Sequence, residues 1–194
     1  MDNNKTILIG AGLSGPLMAT YLTQHGYNVD IYEKRSDMRL KNISAGRSIN
    51  LAISIRGIRA LIEIGVYDEI KPLMIPMKGR MIHDLDGKTT LQPYGKNKKE
   101  VIYSISRAEL NKKLITASEN TGKVQIFFEH DLTNVDLTNN KLIFNNNIEK
   151  SFDRIIGCDG SSSVLRNEII NKTNAKFAKK PLGHGYKELT IPPS

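Results

Sequence analysis

Residues Lys5 to Arg35 read KTILIGAGLSGPLMATYLTQHGYNVDIYEKR, and no other stretch of this chain narrows its fold as far. Thr6 to Ile9 is a short apolar run rich in β-branched residues, the pattern of a strand buried on both faces of a parallel sheet. It leads into Gly10, Gly12 and Gly15 at G-x-G-x-x-G spacing. There the first glycine permits a tight turn, the second lets backbone approach a pyrophosphate, and the third lets helix and strand pack closely. Pro16 suits a first helical turn, and Leu17, Met18, Tyr21 and Leu22 recur at helical spacing as the expected buried face. Gly26 ends the helix. Asn28 to Tyr32 gives a second strand, closed by Glu33, 18 residues after Gly15.

A helix N-terminus behind such a turn offers free N–H groups to a pyrophosphate, and a carboxylate at Glu33 can accept hydrogen bonds from an adenosine ribose. With a strand before the glycines and a helix after them, the unit is expected to hold a dinucleotide. An acid rather than an arginine at the strand tip favours an unphosphorylated ribose, so FAD or NAD before NADP. The motif leaves FAD and NAD open.

Beyond this unit, Ser36 to Ser44 is polar and reads as a loop. A strand-like run (Ile49, Leu51, Ile53) then passes into a helix carrying Ile58 and Leu61, and Arg47 at its approach is expected to border a pocket. Lys78 to Asp84 and Thr89 to Pro93 read as two strands joined through Asp86-Gly87. Arg80 and Tyr94 sit on its two arms, either as surface residues or facing a common cavity. Ser106-Arg107-Ala108-Glu109 has the spacing of a capping box, opening a helix to about Asn120 with Leu110, Leu114, Ile115 and Ala117 buried. Arg107 in its first turn is opposed by the helix dipole unless an anion lies near, which makes it a candidate cofactor contact.

Val124 to Phe128, Leu132 to Leu137, Leu142 to Phe144 and Ile148 to Phe152 suggest an antiparallel meander inserted between parallel strands. Arg154 to Gly157 returns to a parallel-type strand and runs into Cys158-Asp159-Gly160. An aspartate and glycine at a strand's carboxyl end, before a helix, can bind ribose or approach pyrophosphate. Cys158 lacks a base and an orienting partner, and reads as a small core residue. Tyr186 to Ile191 is strand-like, and a chain that finishes as a new sheet begins is expected to be part of something longer.

Net charge is +8, yet the lysines are spread along the chain apart from Lys96 to Lys99. Anionic small molecules are therefore the expected partners, and nucleic acid is not. One cysteine excludes an internal disulfide, no metal-ligand spacing occurs, and a reducing cytoplasm is the expected setting. No apolar run approaches the ~20 residues that span a bilayer, so no membrane association is expected.

Several segments together resemble the kynurenine 3-monooxygenase family, a branch of the single-component FAD-dependent aromatic hydroxylases. They are the Gly10 to Gly15 turn, Tyr32 to Arg35, GRSINLAIS at 46–54, KGRMIH at 78–83, LQPYG at 91–95, YSISR at 103–107, IIGCDG at 155–160 and HGYKELTIPP at 184–193. The resemblance implies an α/β fold: a Rossmann-like FAD-binding domain with a parallel central sheet and an antiparallel β-meander, plus the start of a mixed-sheet substrate domain. On this division residues 1–75 and 101–180 form the first and 76–100 and 181–194 the second. It also implies that Gly10, Gly12, Leu13, Ser14, Gly15, Tyr32, Glu33, Lys34, Arg35, Ala52, Arg107 and Leu132 line FAD, and that Asp159 and Gly160 serve FAD and a transient NADPH. Arg80 would pair with the substrate carboxylate and Tyr94 would hydrogen-bond it. The implied reaction uses NADPH and O2 to place one oxygen on the ring of L-kynurenine, with no acid-base residue of this chain catalytic in the narrow sense.

Members of the family continue for a comparable length with a second FAD motif, so weak FAD retention and little turnover are expected of this chain alone. An inert FAD- or NAD-binding module, or a flavin hydroxylase for another aromatic substrate, are the alternatives.

Overall fold

A computed structural model describes residues 5–40, 50–97, 100–174 and 176–185. The elements in chain order begin with β1 (Lys5–Ile9), α1 (Ser14–Gln24), β2 (Asn28–Tyr32), β3 (Asn50–Ile53), α2 (Ile55–Glu63), α3 (Tyr67–Ile70) and β4 (Ile75–Met77). There follow β5 (Gly79–His83), β6 (Thr89–Pro93), β7 (Ile102–Ser106), α4 (Arg107–Glu119) and β8 (Val124–Phe127). The last are β9 (Leu132–Asp136), β10 (Lys141–Phe144), β11 (Glu149–Ser151), β12 (Ile155–Gly157) and α5 (Val164–Lys172). Arg47 and the strand expected over Tyr186 to Ile191 lie outside the described residues.

A parallel sheet in the order β12-β1-β2-β8 forms the centre. Thr6 to Ile9 are all buried. Leu8 packs with Ala19 of α1, whereas Ile7 and Ile9 pack with Leu132, Val135, Leu142 and Phe144 on the other face. This is the alternation of a strand covered on both sides, by α1 on one and by the antiparallel sheet β11-β10-β9 on the other. A further antiparallel sheet, β3-β7-β4, shares a core with α2 and α4 through Ile53, Ile58, Leu61, Ile105 and Leu114. The β5-β6 hairpin stands on an Asp84–Lys88 turn in which Gly87 takes a φ of +83°.

Three expectations are corrected. Val124 to Phe127 is not part of the meander: it pairs in parallel with β2, because α4 and the left-handed Gly122 return the chain to the central sheet. The most deeply buried residues of α1 are the small ones, Gly15, Pro16, Ala19, Thr20 and Thr23; of the expected face, Leu17, Met18 and Leu22 are half-buried and pack against the cores, whereas Tyr21 is exposed. The helix lies so near the sheet that a Cβ on Gly15 would run into the Gly10 carbonyl oxygen. Small side chains fit that gap, and the two threonine hydroxyls donate to the carbonyls of Pro16 and Thr20 at 2.9 and 2.7 Å. Finally, only half of the capping box forms. Ser106 Oγ accepts from the Glu109 N–H at 3.4 Å, but the Glu109 carboxylate takes Lys112 Nζ at 3.0 Å instead of returning to Ser106.

Among the described residues no helix is long and apolar enough to cross a membrane, and no cluster of His, Cys, Asp and Glu could hold a metal.

Candidate functional site at the carboxyl edge of the parallel sheet

The parallel strands β1, β2, β8 and β12 end at one edge, and the segments that follow them surround a cleft of about 370 Å³. Such an edge is where open α/β sheets take their ligands. Gly10 and Gly12 line it after β1, with Tyr32 and Glu33, Lys34 and Arg35 from the end of β2. Leu132, Arg107 at the start of α4, and Asp159 and Gly160 after β12 complete the expected set found there. Leu13, Ser14 and Gly15 do not line the cleft; they open α1 behind it. Ala52 lies in β3, paired with Ser104 of β7, and does not line it either.

The glycines divide their work as the backbone demands. Gly10 has φ +102°, and a Cβ there would meet the Cys158 carbonyl oxygen at 2.6 Å. A Cβ on Gly12 would meet nothing within 4 Å, so this glycine is the open side of the turn. The N-terminus of α1 carries no side-chain cap, whereas α4 and α5 are capped by Ser106 and Ser163. An uncapped helix end beside an open glycine, with Lys34, Arg35 and Arg107 around it, suits a pyrophosphate in charge and in hydrogen-bond donors.

Glu33 is buried, and its carboxylate is fixed from both sides. Oε2 accepts the Ala11 N–H at 2.7 Å, while Oε1 accepts the Arg35 N–H at 2.9 Å and Arg35 Nε at 2.7 Å. Burial pushes the carboxyl up, but the Arg35 guanidinium and the two backbone N–H groups outweigh it and hold the group below the usual carboxylate range. Glu33 is therefore an ionised acceptor, and the Arg35 side chain over it is 61% exposed. Behind it, burial and then Asp30 push the Tyr32 phenol up to about 12.

Asp159 Oδ2 accepts the Val164 N–H at 2.9 Å, so this carboxylate anchors the start of α5 at the cleft wall. Cys158 is partly exposed and lines the cleft as well as packing toward the core. Burial, then Asp159, raises its thiol above the ordinary value, which leaves it a poor nucleophile. Reading the residues in sequence missed His130 and Asp131, which line the cleft beside Glu33. Their signal was Val124 to Phe127 as a parallel strand, whose end must meet the same edge.

Arg80 and Tyr94 do not line this cleft. Arg80 is opposite Gln92 in the hairpin register, with Nε donating to Gln92 Oε1 at 2.6 Å. The Tyr94 N–H extends the ladder by donating to the Lys78 carbonyl at 3.0 Å. Residues two apart on a strand share a face, so Arg80, Gln92 and Tyr94 lie on the same side of the hairpin.

Among curated proteins, the chain is 43% identical over 190 residues to the kynurenine 3-monooxygenase of Myxococcus xanthus, covering 95% of this chain and 41% of that protein. It is 42% identical over 190 residues to the enzyme of the same name from Sus scrofa, covering 96% and 40%. The chain thus spans about two-fifths of the length of the curated relatives it matches. Among solved structures, a tetrameric 2-methyl-3-hydroxypyridine-5-carboxylic acid oxygenase superposes with a TM-score of 0.71 at 20% identity, over 87% of this chain and 43% of that one. The tetracycline destructase Tet(51) superposes with a TM-score of 0.64 at 22% identity, over 87% and 42%. These two likenesses show a shared fold. The model of the FAD binding domain family matches residues 3–181, so the chain belongs to that family, and the dinucleotide its glycine turn is built for is FAD.

Proposed function

We propose that this chain is the FAD-binding part of an NADPH-using flavin monooxygenase that hydroxylates L-kynurenine to 3-hydroxykynurenine with O2. The observation that carries this reading is the meeting of Gly12, Glu33, Arg107 and Asp159 on one cleft, in a chain 43% identical to a named kynurenine 3-monooxygenase.

Gly12 and the first N–H groups of α1, from Leu13, Ser14 and Gly15, hold the FAD pyrophosphate. Lys34, Arg35 and Arg107 balance its charge. Glu33 accepts from the adenosine ribose, a hydroxyl taking the place of Arg35 Nε. Tyr32, Ala52 and Leu132 wall the cofactor, and Asp159 with Gly160 closes the far side and meets NADPH. Bound flavin supplies the redox chemistry and the activation of oxygen. The chain supplies position and shelter from water.

The β5-β6 hairpin belongs to the substrate side, with residues 76–100 and 181–194 forming part of one domain and residues 1–75 and 101–180 the other. Arg80 pairs with the α-carboxylate of L-kynurenine, and Tyr94 on the same face donates to it. Gln92 holds Arg80 Nε, leaving both terminal nitrogens of the guanidinium for a bidentate carboxylate.

FAD titrated into the purified chain should change flavin fluorescence saturably, and failure to bind sinks the cofactor assignment. In a polypeptide carrying this chain at the length of its curated relatives, L-kynurenine should stimulate NADPH consumption with formation of 3-hydroxykynurenine. Stimulation by a different aromatic acid and not by L-kynurenine would overturn the substrate assignment.

A further inference from the structure

His130 is held in one orientation from several sides. Its backbone N–H donates to the Glu33 carbonyl at 2.9 Å, and its ring Nδ1 lies 2.7 Å from the Phe128 carbonyl oxygen. A carbonyl oxygen can only accept, so Nδ1 carries the hydrogen and the neutral ring presents Nε2 as an acceptor. The ring stands edge-on to Phe127 and Phe144, with centroids 5.9 and 5.8 Å away, and is tilted against Tyr32 at 5.6 Å. His130 lines the cleft, and Nε2 has no hydrogen-bond partner among the described residues.

We propose that His130 reads the base of the bound dinucleotide, its Nε2 accepting a hydrogen bond from the exocyclic amino group of adenine. This rests on the reading of the cleft as the seat of the ADP half of FAD. With the pyrophosphate at Gly12 and the ribose at Glu33, the base lies beyond Glu33, where the residue bonded to the Glu33 carbonyl is His130. Lys34 beside it can only donate. A tautomer locked by a backbone carbonyl and packed among three aromatic rings gives an acceptor of fixed direction, which is what separates an amino group from a carbonyl oxygen.

The test compares FAD with flavin hypoxanthine dinucleotide, in which a carbonyl oxygen replaces the amino group. Each is titrated into the purified 194-residue chain, with flavin fluorescence as the readout. FAD should bind roughly tenfold more tightly. His130→Phe keeps a ring against Tyr32, Phe127 and Phe144 but removes the acceptor, and should bind the two dinucleotides equally. A tenfold preference that survives in His130→Phe overturns the proposal. Equal affinities in the unsubstituted protein overturn it with no variant needed, so a misfolded His130→Phe protein does not blunt the test. Binding of neither dinucleotide overturns the FAD-site reading itself, which separates that failure from a failure of the role given to His130.

Discussion

Asn111 Nδ2 donates to the carbonyl oxygen of Ala11 at 3.2 Å, across 100 residues of sequence. Ala11 in turn donates its N–H to Glu33, so α4 fixes the peptide that links the glycine turn to the acid at the tip of β2. The Asn111 amide is buried, and its other contact is Met38 Sδ at 3.1 Å. Asn111→Ala leaves the Ala11 carbonyl without that donor and should lower unfolding stability by about 1–3 kcal/mol in urea. Asn111→Asp should be worse, since a carboxylate oxygen then faces a carbonyl oxygen. If Asn111→Asp proves the milder of the two, the amide does not work through Ala11.

The glycine turn makes opposite demands at two of its positions. A Cβ on Gly15 has no room against the Gly10 carbonyl, whereas a Cβ on Gly12 has no neighbour within 4 Å. Gly15→Ala should therefore lose about 2 kcal/mol or more of stability, by overpacking between α1 and β1. Gly12→Ala should stay within about 0.5 kcal/mol of the parent. The order reverses for FAD, because the added methyl group at position 12 projects into the open side of the turn. Thermal melts and a flavin titration on both variants check this crossing, and a Gly12→Ala protein with parental FAD affinity would remove Gly12 from the site.

What was legible in the sequence follows from where each constraint acts. Gly10, Gly12, Gly15 and Glu33 could be read because each residue type answers a local backbone demand, within one strand-turn-helix-strand unit. The depth of burial along α1 could not. Hydropathy ranks Leu17 and Tyr21 above Ala19 and Thr20, but the closest approach is set by Gly10 against Gly15, so small residues take the most buried positions while Leu17, Met18 and Leu22 pack half-buried. Short apolar strands are alike until their partners are known, so Val124 to Phe128 reads as a strand of the meander, whereas Val124 to Phe127 pairs with β2. Losing that pairing hid His130 and Asp131. The link from Asn111 to Ala11 joins two elements that share no local pattern, and only the folded chain displays it.

Glu33 gives the protein a defined acid response. Its folded-state pKa lies below the reference of 4.5, so the stability contributed by the ionised form is fully present above that reference. That contribution is lost as pH falls through the lower folded-state value. Glu33→Gln has no carboxylate to protonate, and its amide NH2 cannot accept from Ala11 or Arg35. At neutral pH it should melt below the parent by the equivalent of about 1–3 kcal/mol. The gap between the two melting temperatures should then narrow as the pH is taken down toward about 3. A gap that stays constant over that range would mean that the folded-state pKa of Glu33 is not lowered relative to the unfolded chain.

Arg80 separates a role in binding from a role in folding. It is exposed on the hairpin, and its hydrogen bond to Gln92 is an exposed one as well. Arg80→Ala should therefore change unfolding stability by no more than about 0.5 kcal/mol. Under the proposed function it removes a bidentate partner of the substrate carboxylate, which should weaken L-kynurenine by roughly tenfold or more, at about 1.5–3 kcal/mol for a charge-assisted pair. Arg80→Lys keeps the charge but not the planar fork, and should restore only part of the loss. The measurement is equilibrium binding of L-kynurenine to a polypeptide that carries this chain at the length of its curated relatives. Unchanged affinity in Arg80→Ala takes the carboxylate away from Arg80. Full rescue by Arg80→Lys would retain the charge and discard the bidentate geometry.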